Sequence, residues 1–170
     1  RRAEGVDWWR ERVRSTHQDL IDRGFVENDD ELGVGDSPLG TLTSKYCLRL
    51  ETDARFAARA DRERISVDDI LDAVASAEEF NSVSARQAET DAIDEVLRGT
   101  STDLEDGHRK VFAILTSAMD GKTPSELRSD AWVIKQNALR LLAALGEFAD
   151  RFAGPRVSNL ICRIEARVEH

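Results

Sequence analysis

Gly121-Lys122-Thr123 has the ending of a phosphate-binding loop, in which backbone N–H groups cradle phosphates and a lysine reaches the outer ones. Such a loop needs a further glycine at the position of Thr116 and a strand leading in, but Thr116 lies inside a helical pattern. Asp94-Glu95 similarly copies the acidic pair of nucleotide-hydrolysing motors, yet it falls mid-helix with no apolar strand before it and reads as a solvated face. His17, His108 and His170 are far apart and have no cysteine, histidine or carboxylate at metal-ligand spacing. Cys47 and Cys162 sit among apolar neighbours in helical patterns, which predicts two buried thiols rather than a disulfide or a metal site. With no nucleophile motif either, the chain by itself reads as non-catalytic and lacks ATPase motifs.

The bulk composition limits the partners. The 170 residues carry a formal charge of −9, which argues against a simple nucleic-acid-binding module, because neutralising phosphates takes clustered Lys and Arg. Of the 24 basic residues only Lys45, Lys110, Lys122 and Lys135 are lysine, while aspartate outnumbers glutamate 18 to 15. A lysine-poor, aspartate-rich surface suits a salt-adapted protein, in which bulk salt screens acidic self-repulsion, and it points to a haloarchaeal source. No apolar run approaches the roughly 18 residues of a membrane span and no signal-peptide pattern opens the chain, so it is expected to be cytoplasmic, with no membrane partner. The start at Arg1-Arg2 and the stop within a helical pattern at Ala166–His170 suggest a piece of a longer protein.

Hydrophobic periodicity predicts a mainly α fold. Residues 6–23 form a helix with Val6, Trp9, Val13, His17 and Leu20 or Ile21 on one side, stopped by Gly24. Phe25-Val26-Glu27 and Glu31-Leu32-Gly33-Val34 flank Asn28-Asp29-Asp30 as a short hairpin with turn chemistry in the middle. Helix then hairpin suggests the last helix and wing of a winged-helix domain, and Ser37-Pro38 opens the next helix as cap and first-turn proline. Residues 1–60 are accordingly assigned to a partial winged helix and 61–170 to a multi-helix bundle, with the charged linker Asp61-Arg62-Glu63-Arg64 between them.

In the second part, Ser66 with Asp69 forms a capping box ahead of Val67, Ile70, Leu71, Val74 and Ala77. Ala85, Ala88, Ala92, Val96 and Leu97 are expected to face inward from the next helix, which Gly99 halts. Thr102 with Glu105 makes a second box before Val111, Phe112, Leu115, Ala118 and Met119, and Thr123-Pro124-Ser125-Glu126 a third. The longest pattern runs from Ser129 past Phe148. Apolar residues at 134, 138, 141, 145, 148 and 152 make one stripe, and those at 132, 133, 139, 142, 143, 144 and 149 widen it, so this helix is predicted to be the buried centre of the bundle. Gly154-Pro155 separates it from a last helix. Trp8, Trp9 and Trp132 are candidates for core or interdomain packing, with Trp8 off the Trp9 stripe.

Four segments, in order along the chain, carry a family resemblance. Leu39-Gly40-x-Leu42-x-Ser44-x-Tyr46 with Thr52 and Phe56 is the first, with Cys47 where a second aromatic usually stands. The second is Ser76-x-x-Glu79-Phe80, read with Ala77 and Glu78 as S-x-A-E-E-F-like. The third is Ser129-Asp130 with Gln136-Asn137-Ala138, Arg140, Ala144-Leu145 and Glu147, and the fourth Asn159-Leu160-x-Cys162-x-x-Ile164-Glu165-x-Arg167. Together they resemble the Sec-sixty-three-type helical domain of Ski-two-like superfamily-two helicases.

That resemblance implies an accessory region of an ATP-dependent DNA or RNA helicase. The parent's own motor domains would bind ATP and magnesium, and the winged helix and helical bundle would close a ring around single-stranded DNA or RNA. By order along the chain, the ratchet helix that tracks the strand would run from about Leu104 to Met119. The nucleic-acid contacts it implies are Arg109, Lys110, Thr116, Ser117 and Lys122, with Lys135 on the central helix, holding phosphates without reading sequence. Ala118 and Met119 stand where some relatives place a stacking aromatic, which leaves electrostatic tracking. Arg140 reads as structural. The competing reading is a helical protein–protein interaction module that never touches nucleic acid, favoured by the acidic charge.

Overall fold

The computed structural model describes residues 2–29, 33–52, 55–56, 65–100 and 103–170. The chain divides into two compact units, Arg1–Cys47 and Leu48–His170. The fold is mainly α, with one short antiparallel hairpin.

The first unit holds α1 (Arg2–Asp22), β1 (Val26–Asp29), β2 (Gly33–Asp36) and α2 (Pro38–Tyr46). Gly24, at φ +76°, takes the left-handed conformation that ends α1. The strands pair in the register Val26↔Asp36, Asn28↔Val34 and Asp29↔Gly33, so Asn28 and Asp29, expected in the turn, belong to the strand, while Asp30 lies outside the described residues. The side chain of Ser37 ties the hairpin to α2. Its Oγ donates to the Gly24 carbonyl at 2.6 Å and accepts from the Gly40 N–H at 2.9 Å, which caps the helix that Pro38 begins. Gly40 packs so closely that a Cβ there would lie 2.0 Å from the Phe25 carbonyl oxygen. Phe25 and Leu42 are the buried apolar side chains of this unit. Of the apolar side expected of α1, Trp9 and Val13 are more than half exposed and His17, Leu20 and Ile21 are partly covered, while the side chain of Val6 is outside the described ones; Trp8, off that side, is also more than half exposed.

The second unit contains α3 (Val67–Ala75), α4 (Thr90–Val96), α5 (Asp106–Met119), α6 (Arg128–Phe152) and α7 (Pro155–Glu169), with short 3-10 turns between α3 and α4 and between α5 and α6. The capping box at the start of α3 forms as expected, with the Asp69 N–H bonded to Ser66 Oγ and the Ser66 N–H to Asp69 Oδ2. Beyond it, Thr52 Oγ1 donates to Glu79 Oε2 at 2.6 Å, the Arg49 N–H to Glu79 Oε1 at 2.9 Å, and Arg55 Nη1 to the Ser76 carbonyl. The Thr52–Phe56 and Ser76–Phe80 segments are thereby stitched together, and Phe56 and Phe80 are both buried.

Helix α5 lies at the centre of this unit. Val111, Phe112, Ala113, Ile114 and Leu115 are consecutive and all buried, so every side of the helix is covered over that turn and a half. Each fully buried Leu, Ile or Phe contributes about 1.5–3 kcal/mol over its exposed form. Gly107 at its start is required by close packing, since a Cβ would meet the Val83 carbonyl oxygen at 2.1 Å. Helix α6 packs along α7, with Ile134, Ala138, Leu141, Leu145 and Phe148 buried as its stripe predicts. The last member, Phe152, is exposed, as are Trp132 and Val133, so α6 is covered on one side only near its start.

Three local expectations are corrected. The helix predicted to face Ala85, Ala88, Ala92, Val96 and Leu97 inward starts later, at Thr90: Leu97 is buried as expected and Ala85, Ala92 and Val96 pack half-buried against the core, but Ala88 is exposed and Glu89 and Ile93 are buried instead. Thr123-Pro124 opens a 3-10 turn, Ser125–Leu127, with no side-chain cap, rather than a capping box. Thr102, of the other predicted box, is outside the described residues, and α5 begins at Asp106 with Glu105 before it. Both cysteines are exposed. Cys162 lies between the inward Ile161 and Ile164 on α7, and Cys47 is the left-handed residue, φ 51°, that ends α2.

Candidate functional site

The residues proposed from sequence as strand contacts are placed in three different environments. Arg109 is half-buried on α5, and its Nη2 is 2.8 Å from Asp94 Oδ1, so the Asp94 carboxylate already holds it. Lys110, expected on the polar side of α5, instead points inward and is 0% exposed. Its Nζ donates to Glu89 Oε1 and Oε2 at 2.9 and 2.8 Å, to Asp130 Oδ2 at 2.5 Å and to the Ser84 carbonyl at 3.3 Å. Ser117 is also buried, donating to the Ile114 carbonyl and lying 3.5 Å from Thr123 Oγ1. Thr116 is partly covered, with its Oγ1 enclosed and unpartnered. Lys122 is exposed in the turn after α5, and Lys135 is half-exposed on α6.

Lys110 is thus the hub of an internal charge cluster built by α5, α6 and the segment 84–89 before α4. Glu89 comes from the turn before α4 and is itself buried; its Oε2 also accepts the Arg86 N–H at 2.7 Å. Asp130 comes from the first turn of α6, where a helix N-terminus favours a carboxylate. Arg86 spans the mouth of the cluster, with Nη2 at 3.4 Å from Asp130 Oδ1. The bond from Lys110 is the main reason the Asp130 carboxyl is held below its ordinary range, with Ser129 and Arg86 adding to it against the effect of burial. A buried ammonium with two carboxylates and a carbonyl as acceptors is satisfied, and it fixes α4, α5 and α6 against one another. Sequence reasoning saw Lys110 and Asp130 separately. The signal for pairing them was Glu89, a carboxylate in line with Ile93 and Leu97 on the face that the structure buries.

The open ground lies on α6. Trp132 is 71% exposed, and Val133, Gln136 and Arg140 follow it on the same outward face, with Lys135 at its edge. Trp132 was expected as a packing residue, but it falls off the 134–138–141–145 stripe by nearly half a turn.

Gly121, at φ +67°, closes a helix and not a strand, so Gly121-Lys122-Thr123 has no phosphate-loop geometry. Among the described residues no group of three or more His, Cys, Asp or Glu is arranged to hold a metal ion, and no helix is long and apolar enough to cross a membrane.

Residues 37–170 match the Sec63 Brl domain, and the chain belongs to that family. Its similarity extends to activating signal cointegrator 1 complex subunit 3 from Homo sapiens, with 30% identity over 141 residues, 76% of this chain. The chain spans 6% of the length of that relative.

Proposed function

We propose that this chain is the accessory region of an ATP-dependent superfamily-two helicase from a salt-adapted source, and that the outward face of α6 guides single-stranded DNA or RNA driven by motor domains elsewhere in the parent. The first unit reads as the end of a winged helix, and α3 to α7 as the helical domain behind it. The carrying observation is Trp132, a large aromatic standing in solvent on a helix whose other side is core. An exposed indole offers a platform on which any base can stack, and Lys135 nearby supplies a cation for phosphates. Helix α5 suits the role less well, because Lys110 and Ser117 are enclosed and Arg109 is held by Asp94.

The test is Trp132→Ala in the intact parent. Stacking is worth about 1–3 kcal/mol per base, so binding of a single-stranded oligonucleotide should weaken by roughly five- to a hundredfold, with unwinding reduced and the fold unchanged. Unaltered binding and unwinding would refute the α6 assignment. The second reading, a protein-interaction module, is supported by the charge of −9 and by the acidic groove described next.

A further inference from the structure

The alanine row that sequence periodicity assigns to the core is only partly covered in the structure. Ala88 in the turn before α4 and Ala92 and Val96 on α4 recur at four-residue steps; Ala92 and Val96 lie half-buried at the edge of the core, and with Pro124 the three floor a surface groove of about 520 Å³. Asp91, Glu95 and Glu126 rim it, and Lys122 is its one cation among the lining residues. All four charged groups are exposed, so the rim carries three carboxylates against one ammonium. We propose that this groove docks a basic amphipathic segment of a partner protein, with an apolar side chain seated on the alanines and its Lys or Arg residues meeting Asp91, Glu95 and Glu126.

The small floor residues admit close approach of a second backbone, and the acidic rim selects its charge. Glu126 stays ionised to lower pH than an ordinary glutamate, because its own backbone N–H and the Ser125 hydroxyl bond to the charged form. The same rim repels phosphates, which excludes the groove from the nucleic-acid path proposed for α6 and keeps Lys122 among carboxylates. A protein occupant therefore stands apart from the strand-guiding reading, and either can fail without the other.

The experiment selects from a random-peptide display library on the full chain and counter-selects on Ala88→Arg combined with Glu95→Lys. Both positions are exposed, so the variant keeps its fold, and circular dichroism checks it. The expected outcome is enrichment of Lys- or Arg-bearing amphipathic peptides. Their amide shift perturbations should map to Ala88, Ala92 and Val96, and their affinity should fall at least about tenfold on the double variant. Acidic or neutral winners, perturbations elsewhere, or equal affinity for the variant would overturn the proposal, as would failure to enrich any peptide. Competition by oligothymidylate at these same amides would also overturn it.

Discussion

Lys110 shows how one residue changes meaning between sequence and structure. As a letter beside Arg109 it reads as a phosphate contact; as a side chain it is sealed inside three acceptor residues. Lys110→Met should cost about 3–5 kcal/mol in urea unfolding, because Glu89 is left charged and buried without its partner. Adding Glu89→Gln should recover a substantial part, and a double-mutant cycle would measure the coupling. The same cluster predicts an acid response. Asp130 has a folded pKa below its unfolded value of about 3.9, so its contribution is present above that value and is lost as pH falls through the lowered folded pKa. A urea series from pH 6 downward should show wild type losing stability on acidification more steeply than Asp130→Asn, and parallel curves would contradict the pairing.

At the scale of elements, local chemistry was legible where one short stretch decides the outcome. Ser66 with Asp69, Ser37 with Pro38, Gly24 and Gly154-Pro155 all mark the ends they were expected to mark. Legibility failed where two faces of a helix were nearly equal in hydrophobicity. In the segment 85–97 the expected Leu97 is buried and Ala92 and Val96 are half-buried, but Glu89 and Ile93 lie deeper than the alanines, Ile93 because it buries more area and Glu89 because Lys110 pairs with it. No local rule shows that, since Lys110 lies 21 residues away. Close approaches are similarly hidden. Gly107→Ala, a change that favours a helix in isolation, should destabilise this protein by thermal melting, because the methyl group would collide with the Val83 carbonyl. An unchanged or raised melting temperature would show that the α5 start can move aside.

For the whole molecule, the predicted mainly α architecture holds, while the site was only partly readable. The stripe on α6 correctly placed Ile134, Ala138, Leu141, Leu145 and Phe148 inside. The expectation of a helix enclosed all round fits α5 better, since five successive buried residues on one helix give no periodic signal. Total charge acts at this scale too. With −9 and a rim of unpaired carboxylates, added potassium chloride should raise the melting temperature through screening of like charges, and a flat or falling response would count against a salt-adapted surface.

The two thiols have a practical consequence. Cys47 closes the first compact unit and Cys162 stands on the outer side of α7 in the second, both open to solvent, and they are the only cysteines in the sequence. The native chain therefore already carries one maleimide-reactive handle per unit. A donor and acceptor dye attached to the pair would report the separation of the units in solution, and any change when an oligonucleotide is added, without altering a single residue.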